Sequence, residues 1–240
     1  MGPICGRYNE IISCLPAPTC LSYVAADMNN SQPLPPRRIV IDNLAGRRGE
    51  RALFEGLSLE LGPGEAAELR GPNGAGKTTL LMILAGIVRP AAGDACIEYG
   101  DPDARPETDI AYLSHRPAIK PRLTVTENLG FWTALNGGDT DTDTALETVG
   151  LAPIAWLQAG HLSAGQTRRL ALARLLLADR PVWLMDEPTS ALDSEGEKLV
   201  ARLVDRHLDR GGIVVAATHH DLGLAHAVRR VEIGRARVAA

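Results

Sequence analysis

Residues 71–79, GPNGAGKTT, carry the first recognisable chemistry: they fit G-x-x-x-x-G-K-[ST] with Gly71, Gly76, Lys77 and Thr78 on the fixed positions. A strand-like AAELR (66–70) precedes them and an apolar, helix-like TLLMILAGI (79–87) follows, which is the context a phosphate-binding loop requires. Gly71, Gly74 and Gly76 relieve Cβ clashes, so the backbone running through Pro72, Asn73 and Ala75 can curl around phosphate oxygens. The helix opening near Thr79 aims its partial positive end at the same place. Lys77 then reaches the β/γ-phosphates as a point charge, and the Thr78 hydroxyl sits where it can ligate Mg²⁺. The implied ligand is a nucleoside triphosphate.

Three later stretches can complete such a site. PVWLMDE (181–187) is an apolar run ending in two acids, as expected of a buried parallel strand delivering carboxylates to its C-terminal edge. Asp186 would hold Mg²⁺ through its water shell, and Glu187 could orient and deprotonate an attacking water. LSAGQTRRLALARLLLA (162–178) opens with Ser163 and Gln166 in capping-box spacing, and Gly165 leaves the helix start open to close approach. Leu170, Ala173, Arg174 and Leu177 mark the helix that follows. GGIVVAATHHDL (211–222) reads as a buried strand ending in Thr218, His219, His220 and Asp221.

The elements that must position these groups are legible in outline. RIVIDNL (38–44) and LSLEL (57–61) alternate apolar with polar, as half-buried strands do, and PGE (63–65) turns into AAELR. Glu68 breaks an otherwise apolar strand there. Further strands are expected in ACIEY, where Cys96 reads as core packing, and in DIAYL (109–113). A helix is expected from about 195 to 209, with Ser194 and Glu197 in capping-box spacing and Gly211 and Gly212 closing it. The pattern is α/β.

Composition bounds the rest. The chain has 240 residues, a hydrophobic content of 45%, a charged content of 22% and a net charge of −4. One catalytic unit fits that length. No apolar run approaches the roughly 20 residues of a membrane span, and the charge offers no basic field for nucleic acid. Cys5, Cys14 and Cys20 fit no zinc or disulfide spacing. Residues 1–36 are expected to be an irregular extension without a secretion signal, ending in a Pro-rich spacer, with Met28 as the native start. Residues 37–240 form one domain.

The order GPNGAGKT, LSAGQ, VWLMDE, SALD and TH resembles the ATP-binding cassette ATPases over residues 38 to about 230. The resemblance implies a P-loop NTPase fold: a RecA-like α/β core, a small antiparallel β layer and an inserted α-helical lobe, here about 116–162. It implies a head-to-tail dimer with a second copy of the chain, sandwiching ATP and Mg²⁺ between the phosphate loop of one copy and LSAGQ of the other. On that pattern Glu187 is the general base, His219 the switch histidine at the γ-phosphate, and Asp193 the aspartate communicating between the two sites. Ser163, Gly165 and Gln166 belong to the cross-dimer contact. Two positions depart from the pattern. His115 stands where a glutamine usually contacts metal and water, and Arg48 where an aromatic usually stacks on adenine. Arg48 can stack on a base or stand as a solvated surface arginine.

Within the family, the short cassette with HRPAIKPRLTVTENL, LSAGQTRRLALARLLL and WLMDEPTSALD is similar to the haem-export ATPase subunits of cytochrome c maturation. That resemblance implies a membrane subunit of the CcmB type as partner, a peripheral location on the cytoplasmic face of the bacterial inner membrane, and ATP-driven release of a haem-loaded chaperone. Direct haem binding is not expected: C-x-x-C-H is absent, and His161, His207 and His226 read as surface residues. An exporter of another small solute or lipid remains an alternative, and a soluble non-transport cassette a weaker one. The segment 117–128 is expected to present Ile119 and Leu123 to the membrane partner.

Overall fold

The computed structural model describes residues 33–99, 109–136 and 141–234. The expectations for the first 32 residues, including Cys5, Cys14, Cys20 and Met28, lie outside them. Two sheets form the frame. Strands β1 (Arg37–Arg48), β2 (Arg51–Leu61) and β4 (Ala92–Tyr99) make an antiparallel layer in the order β2-β1-β4. Strands β3 (Ala66–Arg70), β5 (Ile110–Leu113), β6 (Val182–Asp186), β7 (Ile213–Ala217) and β8 (Val228–Glu232) make a parallel sheet in the order β5-β6-β7-β3-β8.

The central strands β3, β6 and β7 are buried on both faces, so their apolar runs split by alternation between two cores. Val182, Leu184, Ile213, Val215, Ala67 and Leu69 face the antiparallel layer together with α1 (Lys77–Leu84). Trp183, Met185, Val214 and Ala216 face the opposite way, toward α4 (Ala164–Ala178) and α5 (Ser194–Asp209). Between β5 and α4 the chain forms α2 (Val125–Asn136), α3 (Thr142–Thr148) and two 3₁₀ turns, Ala152–Ile154 and Ala159–His161. Their apolar residues Val125, Leu129, Leu146 and Leu151 join the α4 core.

Three expectations change, and the acid in β3 finds its partners. Asp193, not Ser194, caps α5, accepting the Gly196 N–H at 2.8 Å. Both residues are good caps, and the extended backbone at Asp193 makes it the last residue outside the helix. Cys96 is half-buried on β4, which borders the small layer, rather than enclosed in the core. Glu68, 1% exposed, is answered by Arg70 and by the Leu222 N–H at 3.0 Å, so the buried carboxylate anchors the segment after β7 to β3.

His207 is the third changed expectation: it is buried, not on the surface. Its ring stacks on Trp183 at 3.9 Å, and Nε2 lies 3.2 Å from the Pro181 carbonyl. Burial pulls its pKa down to about 4. Unfolded, the group binds a proton below about pH 6.5; folded, it stays neutral until about pH 4. Across that window the unfolded state therefore holds more protons, and stability falls as pH falls, by about 3 kcal/mol in total. His207→Phe keeps an aromatic ring beside Trp183 and removes the titration. Urea midpoints measured at pH 7 and pH 4.5 should differ less in this variant than in the parent. An equal acid loss in both would place the sensitivity on another group.

Candidate active site

The strand order decides what can meet. β3, β7, β6 and β5 are consecutive neighbours and parallel, so their C-terminal ends lie side by side on one edge. β3 delivers the loop 71–76, β7 delivers Thr218 and His219, β6 delivers Asp186 and Glu187, and β5 leads to His115.

The loop itself depends on glycine. Gly71 has φ +141°, and a Cβ there would meet the Ile233 carbonyl oxygen at 2.3 Å. Gly76 caps α1 at φ +112°, where a Cβ would meet Phe54 at 2.9 Å and Leu53 at 3.0 Å. Each combines a left-handed backbone with a close approach that a side chain cannot share. Lys77, the first residue of α1, folds back so that Nζ donates to the Gly71 carbonyl at 2.7 Å.

A cavity of about 530 Å³ opens over this edge. Pro72, Asn73, Gly74, Ala75, Gly76, Lys77, Thr78 and Thr79 line one side. Arg48, His115, Asp186, Glu187 and His219 complete it. The structure thus brings together the expected phosphate-loop, Arg48, His115, acidic and histidine residues. Leu53 and Ser190 line it too and were missed. Leu53 belongs to a β2 that starts six residues before the alternation in LSLEL becomes visible, and like Arg48 it lines the cavity from the β1–β2 hairpin.

Inside the cavity Thr78 Oγ1 donates to Asp186 Oδ2 at 2.9 Å. His219 Nε2 lies 2.9 Å from Asn73 Oδ1, 3.3 Å from Glu187 Oε1 and 3.4 Å from Lys77 Nζ. The histidine therefore touches the loop, its lysine and the second acid at once. Glu187 has φ +50°, a left-handed backbone for a non-glycine residue, and its N–H donates to the Ala217 carbonyl of β7 at 2.8 Å. Asp186 is nearly fully buried. On the neighbouring strand β5, burial and, after it, the Asp186 charge push the Tyr112 phenol up to about 12, so it stays protonated.

Ser163, Gly165, Gln166 and Asp193 do not line this cavity. They gather at the start of α4. Ser163 Oγ accepts the Gln166 N–H at 3.2 Å, and the Gln166 side chain accepts the Ser163 N–H at 2.9 Å, so the capping box is formed in full. Gly165 lies close to the Ala191 carbonyl, and Asp193 faces Arg169 at 3.6 Å.

Residues 54–190 match the family model described as ABC transporter. The chain belongs to the ABC transporter family. It is accordingly a nucleotide-binding, ATP-hydrolysing subunit. Among its relatives are proteins named cytochrome c biogenesis ATP-binding export protein CcmA. The one from Rhodopseudomonas palustris strain BisB5 is 52% identical over 190 residues, covering 79% of this chain and 94% of the relative. Those from Nitrobacter winogradskyi and Rhizobium meliloti are 50% and 49% identical, over 79% of this chain and 94% and 95% of theirs. A solved ABC transporter ATP-binding protein of Pyrococcus furiosus shares the fold, with a TM-score of 0.71 at 24% identity over 82% of this chain and 97% of that one. Among the described residues, no helix is long and apolar enough to cross a membrane.

Proposed function

We propose that this chain drives export in cytochrome c biogenesis, with haem as the transported group, by hydrolysing ATP beneath a CcmB-type membrane subunit on the cytoplasmic face of the inner membrane. The observation that carries the catalytic part is the convergence of Lys77, the Thr78–Asp186 pair, Glu187 and His219 on one cavity. The export part rests on the named relatives, about half identical over most of both chains.

In this reading the loop N–H groups and the start of α1 cradle the phosphates, and Lys77, whose Nζ lies 2.7 Å from the Gly71 carbonyl, supplies a positive charge at the loop mouth. Thr78 and Asp186 present two hard oxygens side by side facing the cavity, a donor set that suits Mg²⁺ shared with phosphates and water. Bound there, the ion would neutralise charge on the phosphate oxygens. Glu187 takes the proton from the attacking water. His219 donates or accepts at Nε2, holding Glu187 and the loop in register. His115 lines the same cavity and orients water. Arg48 stacks on the base at the rim, opposite the loop. Ser163, Gly165 and the start of α4 sit outside this cavity, so they serve a second copy's nucleotide, head to tail. Asp193, bound to both the α5 start and Arg169, links that contact to the α5 side of the site. The dimer then lasts while the terminal phosphate does.

The surface for the membrane subunit centres on the loop after His115. Asn128, 1% exposed, knits it: its side chain accepts the Lys120 N–H at 2.8 Å and donates to the Lys120 and Thr124 carbonyls. Ile119 packs against the core while partly exposed and Leu123 is half-buried, so each has part of its surface left for such a contact. Phe131, under Lys120 at 4.2 Å, and Leu135 one turn on are exposed apolar groups of α2, and Trp156, brought beside Val125 by its chain neighbours, is exposed too. Phe131→Asp should leave the chain folded and binding ATP while lowering its co-purification with the CcmB-type subunit roughly tenfold or more, because an unpaired charge enters an apolar contact. Recovery at parental yield would move the docking surface elsewhere.

A further inference from the structure

Arg168 lies on α4 beneath the active-site edge and is 3% exposed, although it stands in a helix whose other arginines reach solvent or the surface of the core. Among the described residues its guanidinium forms no ion pair with a carboxylate. Instead Nε donates to the Pro188 carbonyl at 3.1 Å, Nη2 to the Asp186 carbonyl at 2.6 Å and to the Glu187 carbonyl, and Nη1 to the Ser114 carbonyl at 3.0 Å. Four of its five N–H groups are thus spent on main chain.

Three of those acceptors are consecutive residues. In an extended chain successive carbonyls point to opposite sides, so three can face one cation only if the chain turns at the middle residue. That residue is Glu187, at φ +50°. Its N–H is held from the other side by Ala217 of β7. The fourth acceptor, Ser114, immediately precedes His115. One side chain therefore fixes the backbone of the second acid and the base of the His115 loop, and it does so from the helix that begins at Ser163. The charges of Asp186 and Glu187 oppose the loss of its proton; burial still draws its pKa down to about 10, leaving it a cation at neutral pH.

We infer that Arg168 is a positioning residue for hydrolysis: it imposes the left-handed turn at Glu187 and so sets where that carboxylate points, and it ties this turn rigidly to the α4 start and to His115. The inference rests on the reading of Glu187 as base. It differs from a general packing role in what it predicts. A misplacement near 1 Å at a reacting group can cost about 100-fold in rate, whereas the phosphate loop, on β3 and α1, shares none of the Arg168 bonds.

The test uses the full chain in four forms beside the parent: Arg168→Met, Arg168→Lys, Glu187→Gln and Arg168→Met with Glu187→Gln. Arg168→Met should lower kcat about 10- to 100-fold with KM and ATP affinity within about threefold. Arg168→Lys, a charge without the planar fork, should fall between Met and the parent. The double variant should turn over no more than about threefold more slowly than Glu187→Gln alone, because Arg168 acts through that carboxylate. Parental turnover in Arg168→Met, or losses that multiply in the double variant, would overturn the inference. Parental turnover in Glu187→Gln would instead overturn the reading of the base. If Arg168→Met does not fold, Arg168→Lys decides: a several-fold lower kcat with retained ATP affinity supports the role, and an unchanged kcat rejects it.

Discussion

Glu187→Gln is expected to lower ATP turnover by roughly 10²- to 10⁴-fold while ATP binding survives. The substitution keeps size, shape and one acceptor oxygen, so the contact with His219 Nε2, 3.3 Å from Glu187 Oε1, can persist. What it removes is the ability to take a proton. The backbone turn at Glu187 is held by main-chain bonds to Ala217 and Arg168, not by the carboxylate, so the loop keeps its geometry. Because the γ-phosphate then stays intact, the variant should accumulate as an ATP-bound dimer. Size-exclusion chromatography with ATP and Mg²⁺ reads the dimer, and single-turnover hydrolysis reads the rate. Near-parental turnover would move the base to another group. His219 is the first candidate, since it reaches the acid, Asn73 and Lys77 from one nitrogen.

The parts of this site that were legible in the sequence are those whose chemistry constrains the backbone locally. Gly71 and Gly76 stand where a Cβ would collide with Ile233, Leu53 or Phe54, so glycine spacing alone announces the loop. The β6 strand announces itself by an apolar run ending in two acids, and the capping box of Ser163 and Gln166 formed as spaced. What stayed hidden depends on distant chain. Arg168 reads as one more polar residue of an amphipathic helix until the carbonyls 18 to 20 residues away and that of Ser114 converge on it. His207 reads as a surface residue until Trp183 covers it. Glu68 looks misplaced in a buried strand until the Leu222 N–H arrives 154 residues later. Asp193 and Ser194 are both good caps, and only the backbone angles choose between them.

Lys77→Ala is expected to weaken ATP binding as well as turnover, and that pairing separates it from Glu187→Gln. The lysine is 7% exposed and its ammonium donates to the Gly71 carbonyl at 2.7 Å, spanning the mouth of the loop from the first residue of α1. It therefore does two jobs: it closes the loop on itself and it brings a positive charge to within 3.4 Å of His219. A charge-assisted bond to phosphate contributes about 1.5–3 kcal/mol, so its loss should raise the ATP dissociation constant roughly 10- to 100-fold. The phosphate carries that contact in ground and transition states alike, so kcat/KM should fall at least as far. Lys77→Arg keeps the charge but replaces a compact point donor by a planar fork too wide for the space between the Gly71 carbonyl and His219. It should recover only part of the affinity. Titration with a fluorescent ATP analogue and displacement by ATP measures both variants. Parental affinity in Lys77→Ala would mean that the loop N–H groups and the α1 start hold the phosphates unaided, and that the lysine serves only to shape the loop.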